Sequence, residues 1–429
     1  LFDAFDAAAQ AKLSAAGLSE ARAAVAAALQ GVIDLSSVDP IKAELKAAHG
    51  DNAGNALDQL LDTLGSALQA AGTDLGQVAS AMQANSEAPA VVQTLLQPAA
   101  PSCAGLRSGK YRLLDAYTGD IGTATALVGI DALKGEYTNA GVTRTFKPSA
   151  GEACRFQVDE GWGTAYVAAA SGLIVLRYFE TATLARTAVL LPEQSVPVRE
   201  LAGKWNMLVY GAPEEDAGVP WGHAYTTETI AENGKSLEAA DCEGAVCTVW
   251  TPNHDTFYAD AAGGFSVRES ETGWVKARLF AYKTAGGKIS LLGLMSNVNG
   301  EPLGFFAGAK QQALSLPAVG DTSRFWDVEL NWSGVASPGD VEMSVTAVDP
   351  AAKTLTRKRK SDGRIDSFAV NSPRDGLRYR AAGSSLLDNG TTLNFAESTT
   401  MPLPGTGVSV SSGATRNGGS HFTLTVAKP

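Results

Sequence analysis

Hydrophobic residues change their spacing along this chain near residue 98. Before that point they recur every three or four residues, as Leu57, Leu60, Leu61 and Leu64 do, which is the spacing of one face of an α-helix. After it, apolar and polar residues alternate in short runs separated by glycine-containing turns, as in antiparallel strands. The sequence therefore predicts an α-helical bundle over residues 1–98 and a β-rich remainder.

The β-rich remainder contains an internal repeat with a period of roughly a hundred residues. Each copy opens on a strand whose aromatic residue follows a proline by eight to ten residues. The aromatic residues and their prolines are Tyr111 and Pro101, Trp205 and Pro197, and Trp326 and Pro317. One structural unit per copy is expected, so we predict β units at residues 102–197, 198–317 and 318–429.

Each unit has room for about six to eight short antiparallel strands, enough for a small barrel or sandwich. The run Gly203-Lys204-Trp205 resembles the first strand of lipocalins and related up-and-down barrels, in which the tryptophan closes one end. The predicted fold class is therefore α+β multidomain: a helical bundle followed by three lipocalin-like antiparallel β units. As an alternative the repeats join into a β-propeller, but their unequal lengths and proline linkers favour separate units.

Composition and charge narrow the location and the partners. The 429 residues carry a net charge of −11, and residues 320–429 hold eleven acidic and twelve basic side chains. Such a chain lacks the basic face that neutralises phosphates, so nucleic acid is not an expected partner. The chain begins with Leu1 rather than methionine and has no apolar run long enough to cross a bilayer. We expect an exported protein that is periplasmic, outer-membrane-anchored or extracellular, with any lipid anchor upstream.

The four cysteines predict two disulfides and an oxidising compartment. Cys242 and Cys247 are five residues apart and suit a stapled hairpin, which leaves Cys103 and Cys154 as the second pair. A zinc site needs closely spaced ligands at two places in the chain, and only one such pair exists. No metal and no cofactor are therefore expected.

Several longer sequence segments resemble a family of proteobacterial surface lipoproteins whose function is not established. Members of this family combine an N-terminal helical module with lipocalin-like β repeats. The segments are Val38-Asp39-Pro40-Ile41-Lys42, Ser102-Cys103-Ala104-Gly105-Leu106-Arg107-Ser108-Gly109, Glu200-Leu201-Ala202-Gly203-Lys204-Trp205 and Ser372-Pro373-Arg374-Asp375-Gly376-Leu377-Arg378-Tyr379-Arg380-Ala381. The resemblance covers most of the chain. It implies a lipid-anchored segment upstream and supplies no catalytic residues.

Signatures of catalysis are missing from the sequence. It contains no zinc-protease, serine-hydrolase, phosphate-loop or dinucleotide motif, and its four histidines are scattered. We therefore expect a protein without catalytic activity. The hydrolase alternative, acting on a surface polymer, would depend on His223 or His254 and a nucleophile elsewhere in the chain.

Aromatic and histidine residues are densest in the second β unit. The candidate ligand-binding set is Trp221, His223, Tyr225, Trp250, His254 and Tyr258. Aromatic rings offer flat apolar area with a polar edge, which suits a small apolar or aromatic ligand. The competing interpretation is that the tryptophans belong to the barrel core and the histidines to solvated loops.

A run of four basic residues in the third unit is the candidate anion-binding site: Arg357, Lys358, Arg359 and Lys360. On a strand its side chains alternate, so two of the four would point into a closed barrel. Arg378 and Arg380 add positive charge to the same unit. The competing interpretation is a basic edge strand that blocks unwanted sheet pairing.

Together these features predict an exported binding or structural protein of the cell surface or periplasm. Its expected partner is an envelope component, a polymer or another copy of the chain. The alternatives are a lipocalin-like carrier of a small apolar or aromatic ligand in the second unit, and the surface-polymer hydrolase.

Overall fold

A computed structural model describes residues 99–429, except 182–183, 212–221, 244–245, 251–254, 285–286, 331–338 and 415–419. This part is almost entirely β: its helices are one α-helix, α1 (Ile121–Ala124), and one 3-10 helix (Val198–Leu201). The predicted α+β class is therefore wrong, because the described architecture consists of antiparallel sheets. The helical bundle expected over residues 1–98 lies outside the described residues.

The first large sheet is a closed eight-stranded barrel, called barrel 1. A short pair, β1 (Ala99–Ala100) and β2 (Cys103–Arg107), precedes it. Its strands are β3 (Gly109–Leu114), β4 (Leu127–Asp131), β5 (Glu136–Asn139), β6 (Val142–Pro148), β7 (Arg155–Val158), β8 (Gly163–Val167), β9 (Ile174–Thr181) and β10 (Leu184–Pro192). Each strand pairs with the next, and β10 returns to β3 with Leu190 opposite Leu113. Closure removes the sheet edges that would otherwise recruit another chain.

The second sheet, called the middle sheet, has nine strands and stays open. They are β11 (Gly203–Gly211), β12 (Gly222–Ile230), β13 (Ser236–Glu243), β14 (Val246–Trp250), β15 (Asp255–Ala259), β16 (Phe265–Glu269), β17 (Val275–Lys283), β18 (Ile289–Ser296) and β19 (Pro302–Lys310). The sheet curls so that Trp205, Phe257 and Phe265, from distant strands, share one buried cluster. β14 and β15 form its two edges.

The third sheet, called barrel 3, is again a closed barrel of eight strands. They are β20 (Thr322–Leu330), β21 (Gly339–Asp349), β22 (Thr354–Arg359), β23 (Ile365–Val370), β24 (Arg378–Arg380), β27 (Ser398–Leu403), β28 (Val408–Ala414) and β29 (Ser420–Ala427). Between β24 and β27 the chain forms a separate hairpin, β25 (Gly383–Leu386) and β26 (Thr392–Phe395), called the cover hairpin. Closed barrels contradict the propeller alternative, whose blades are open sheets around a central channel.

The three sheets pack against one another through one continuous hydrophobic cluster. The convex face of the middle sheet contributes Tyr210 and Phe305, whose rings lie 5.8 and 5.6 Å from the ring of Phe422 in barrel 3. Towards barrel 1 the contact is polar as well, since Arg278 of the middle sheet donates to Thr125 Oγ1 at 2.9 Å. Because both faces of the middle sheet are buried, its central strands are apolar on both sides.

Two disulfides stabilise the sheets, and they join the cysteine pairs expected from the sequence. Cys103–Cys154 ties β2 to the start of β7 across 51 residues, and Cys242–Cys247 bridges β13 and β14. Closing the longer loop removes more freedom from the unfolded chain, so the first bond should contribute more to stability.

Glu228 places a carboxyl group on the concave face of the middle sheet, directly opposite Trp205 in the strand register. Burial raises the pKa of Glu228 to about 7, against about 4.5 for a free glutamate. As the pH rises, Glu228 therefore loses its proton at a lower pH in the unfolded protein than in the folded protein. The free energy of unfolding falls between about pH 4.5 and about pH 7 as a result. At 1.36 kcal/mol for each pKa unit, this loss amounts to about 3 kcal/mol.

We expect the Glu228→Gln variant to lack this component of the pH dependence, because an amide replaces the acid without ionising. Urea unfolding at pH 5 and pH 8 measures the effect. The free energy of unfolding of the variant, relative to that of the wild type, should be higher at pH 8 than at pH 5. An identical change in both proteins would show that Glu228 does not carry the shift.

Candidate functional site

Barrel 3 has an unusual distribution of apolar residues on four of its strands. Val328, Leu424, Val410 and Met401 lie side by side in the register of β20, β29, β28 and β27. All four are completely buried and belong to the cluster shared with the other two sheets. The apolar face of these strands therefore points out of barrel 3, towards its neighbours.

The opposite face of the same strands is polar and points into the barrel. Asp327, Thr425 and Ser409 form one cross-strand row there, and Thr425 donates to the Asp327 carboxylate at 2.5 Å. These residues line a cavity of about 710 Å³. A volume of this size lies within the range of about 300–1,000 Å³ typical of small-molecule sites.

Arginine is the dominant charged residue of this cavity. Six arginines line it against two aspartates and one histidine. They are Arg324, Arg357, Arg359, Arg364, Arg378 and Arg380, with Asp327, Asp366 and His421. Strand geometry produces the set, because alternate residues of β22 and of β24 point to the same side. The cavity therefore carries an excess of positive charge.

Three of these arginines have carboxylate partners within the protein. Asp366 accepts hydrogen bonds from Arg364 Nη2 at 2.8 Å and Arg380 Nη1 at 2.7 Å. Arg359 pairs with Asp362 at 3.3 Å. The ring of Phe395, from the cover hairpin, lies 4.5 Å from the Arg380 guanidinium and so covers part of the cluster.

Two others, Arg357 and Arg378, have no ion pair and no hydrogen-bonded partner among the described residues. Arg357 stands opposite Asp366 in the register of β22 and β23, but that carboxylate is already bonded to Arg364 and Arg380. Burial, reinforced by the charge of Arg357, lowers the pKa of Arg378 to about 10. An arginine side chain stays charged at neutral pH, so Arg357 and Arg378 are two partly buried cations of the cavity without a carboxylate partner among the described residues.

The basic run singled out from the sequence alternates as a strand should. Arg357 and Arg359 line the cavity, while Lys358 pairs with Asp388 at 3.1 Å and Lys360 with Glu342 at 3.0 Å on the outside. β22 is hydrogen-bonded to β21 and to β23, so the edge-strand interpretation is wrong.

Comparisons with known proteins add little to this geometry. No protein-family model matches the chain, and no curated protein matches it. A protein of unknown function from the DUF3598 family of Nostoc punctiforme is 10% identical with a TM-score of 0.18, over 55% of this chain and 99% of that one. The vaccine antigen Transferrin Binding Protein B of Haemophilus parasuis is 9% identical with a TM-score of 0.21, over 75% of each chain. Likenesses at these TM-scores carry no argument about this protein.

The structure separates the residues proposed from the second unit. Tyr225 is buried and donates to Asn206 Oδ1 at 3.1 Å, whereas Tyr258 is 47% exposed on the edge strand β15. Trp250 ends β14, but its side chain lies outside the described residues, as Trp221 and His254 do entirely. The members of the set whose side chains the structure describes therefore do not form an aromatic binding site.

His223 and Tyr225 instead line a groove of about 420 Å³ between the middle sheet and barrel 3. His223 Nδ1 lies 2.7 Å from Ser420 Oγ, and burial lowers the pKa of His223. On the barrel side Tyr379 donates to Glu397 at 2.5 Å, which raises the pKa of Tyr379 to about 12. Among the described residues no carboxylate is hydrogen-bonded to His223, so the relay that a serine hydrolase requires is incomplete there.

Two other features are missing from the described residues. No helix in them is long and apolar enough to cross a membrane. No group of three or more histidine, cysteine, aspartate or glutamate side chains in the same part of the chain is placed to hold a metal ion.

Proposed function

We propose that this chain is an exported, non-catalytic binding protein that holds a small anionic ligand inside barrel 3. The observation that carries the proposal is the pair Arg357 and Arg378, which line the cavity and have no partner in the part of the chain that the structure describes. A buried charge without compensation destabilises a fold. A bound anion would supply the missing negative charge, and the planar guanidinium fork suits carboxylate or phosphate oxygens.

The proposed location depends on the disulfides. Both bonds persist in oxidising compartments and are rare in the cytosol, which supports export to the periplasm or the cell surface. An envelope component or polymer that carries an acidic group remains a suitable source of the ligand.

Calorimetric titration with sulfate tests the proposal. We expect wild-type protein to bind sulfate and the Arg357→Gln/Arg378→Gln double variant to bind it at least 30-fold more weakly. The matched control is Lys358→Gln/Lys360→Gln, which removes the same charge from the outer face of the same barrel and should change affinity less than threefold. The arginine variant should also become more stable to urea, because it loses two unpaired buried charges.

Two results would contradict this function. One is the absence of sulfate binding by the wild type. The other is an equal loss of affinity in both double variants, which would mean that only the overall charge matters.

A further inference from the structure

We infer that the ligand of barrel 3 is a phosphomonoester-type dianion attached to a small organic body. The inference rests on the proposed function and specifies its ligand class. It follows from three features of the cavity: the number of unpaired cations, the hydroxyl groups beside them, and the size and apolarity of the remaining walls.

Two partly buried arginines of the cavity are unpaired among the described residues, while Arg324 is exposed to solvent. Arg359 forms an ion pair with Asp362, and Arg364 and Arg380 both pair with Asp366. Arg357 and Arg378 remain, from strands that flank β23, and the charge of Arg357 acts on Arg378. A monoanion would compensate one guanidinium and leave the other without a counter-charge. A dianion whose charge is spread over several oxygens compensates both.

Hydroxyl groups continue from Arg378 along the inner wall. The register places Thr400 beside Arg378, Ser411 beside Thr400 and Thr423 beside Ser411. All four residues line the cavity. In this structure Thr400 donates to Ser411 Oγ at 3.3 Å. Hydroxyl groups rotate freely, and on turning to the ligand they would donate to the phosphate oxygens that the guanidiniums leave free.

The remaining walls favour an organic body over free phosphate. The cavity is far larger than a phosphate group, at about 710 Å³, and Phe325, Val341, Met343 and Phe368 also line it. A flat or apolar body placed there covers apolar surface that would otherwise face water. The ligand is therefore expected to combine a dianionic head with such a body.

The decisive experiment compares methyl phosphate with methyl sulfate, which have nearly the same shape but different charge. A phosphomonoester loses its second proton with a pKa of about 6, so it is a dianion at pH 8 and a monoanion at pH 5. Methyl sulfate is a monoanion at both. We expect methyl phosphate to bind at least tenfold more tightly at pH 8, and this ratio to fall towards one at pH 5. His421 and Asp327 also line the cavity, but at pH 5 both probes are monoanions, so protonation of these side chains changes the two affinities alike.

Two further arms complete the test. Phenyl phosphate should bind more tightly than inorganic phosphate, because its ring reaches the apolar wall; the reverse order would overturn the organic body. The Arg378→Gln variant should lose the preference for methyl phosphate over methyl sulfate while it stays folded. Equal affinity of both methyl probes at pH 8 would contradict the inference that the ligand is a dianion, but not the proposal that the cavity binds an anion. Failure of sulfate and of both probes to bind would contradict the proposed function as well.

Discussion

We expect replacement of Asp366 by asparagine to lower the free energy of unfolding by about 3–5 kcal/mol. Asp366 is 5% exposed and accepts from both Arg364 and Arg380. Its removal leaves two more guanidiniums without a counter-charge in a barrel that already contains two. Breaking a buried pair costs more than the pair contributes, because the partner stays behind as a desolvated charge. Urea unfolding at pH 7 measures the loss.

The matched control for this experiment is Asp362→Asn. Asp362 pairs with Arg359 at 3.3 Å and is a third exposed, so its loss should cost less than about 1 kcal/mol. Sulfate should stabilise the Asp366→Asn variant more than the wild type, because the variant offers more unpaired guanidiniums to the anion. Equal stability of the two variants would show that Asp366 is not the centre of the arginine cluster.

We expect the Phe422→Ala variant to lose about 3–5 kcal/mol of stability, because it opens a cavity where barrel 3 meets the middle sheet. Phe422 is fully buried, and its ring contacts those of Phe305 and Tyr210. The neighbouring rings are fixed on strands of another sheet, so they cannot move inwards to fill the space. Chemical denaturation monitored by far-ultraviolet circular dichroism provides the measurement.

Phe179→Ala is the control for that change, since Phe179 is 37% exposed and should cost about 1 kcal/mol or less. If Phe422→Ala lowered the free energy of unfolding no more than Phe179→Ala does, barrel 3 and the middle sheet would not be closely packed at Phe422.

Alternation of apolar and polar residues was enough to predict the strands, but it could not show which face of a strand lies inside a barrel. Trp326 and Trp205 occupy matching positions in their repeats, yet Trp205 lies on the concave face of the middle sheet. Trp326 faces away from its own barrel, with its ring 5.4 Å from Tyr166 of barrel 1. The pattern records that a face is buried and not which neighbour buries it.

Part of the candidate anion site could be predicted from the sequence, because alternation along one strand is a local pattern. Arg357 and Arg359 belong to a local run whose alternation the sequence displays. Arg364 and Asp366 were missed, because only the register of β22 against β23 brings them to the same wall. The sequence could not show that Tyr225, proposed as a ligand contact, is buried and hydrogen-bonded to Asn206, because that contact depends on the pairing of β11 with β12.

The outward apolar face of barrel 3 also bears on the order in which the chain matures. Barrel 3 follows barrel 1 and the middle sheet along the chain, and N-terminal regions generally fold first. Val328, Val410 and Leu424 are buried in the cluster that barrel 3 shares with barrel 1 and the middle sheet. We therefore expect barrel 3 to close around its arginines as it docks on those two sheets, and not before.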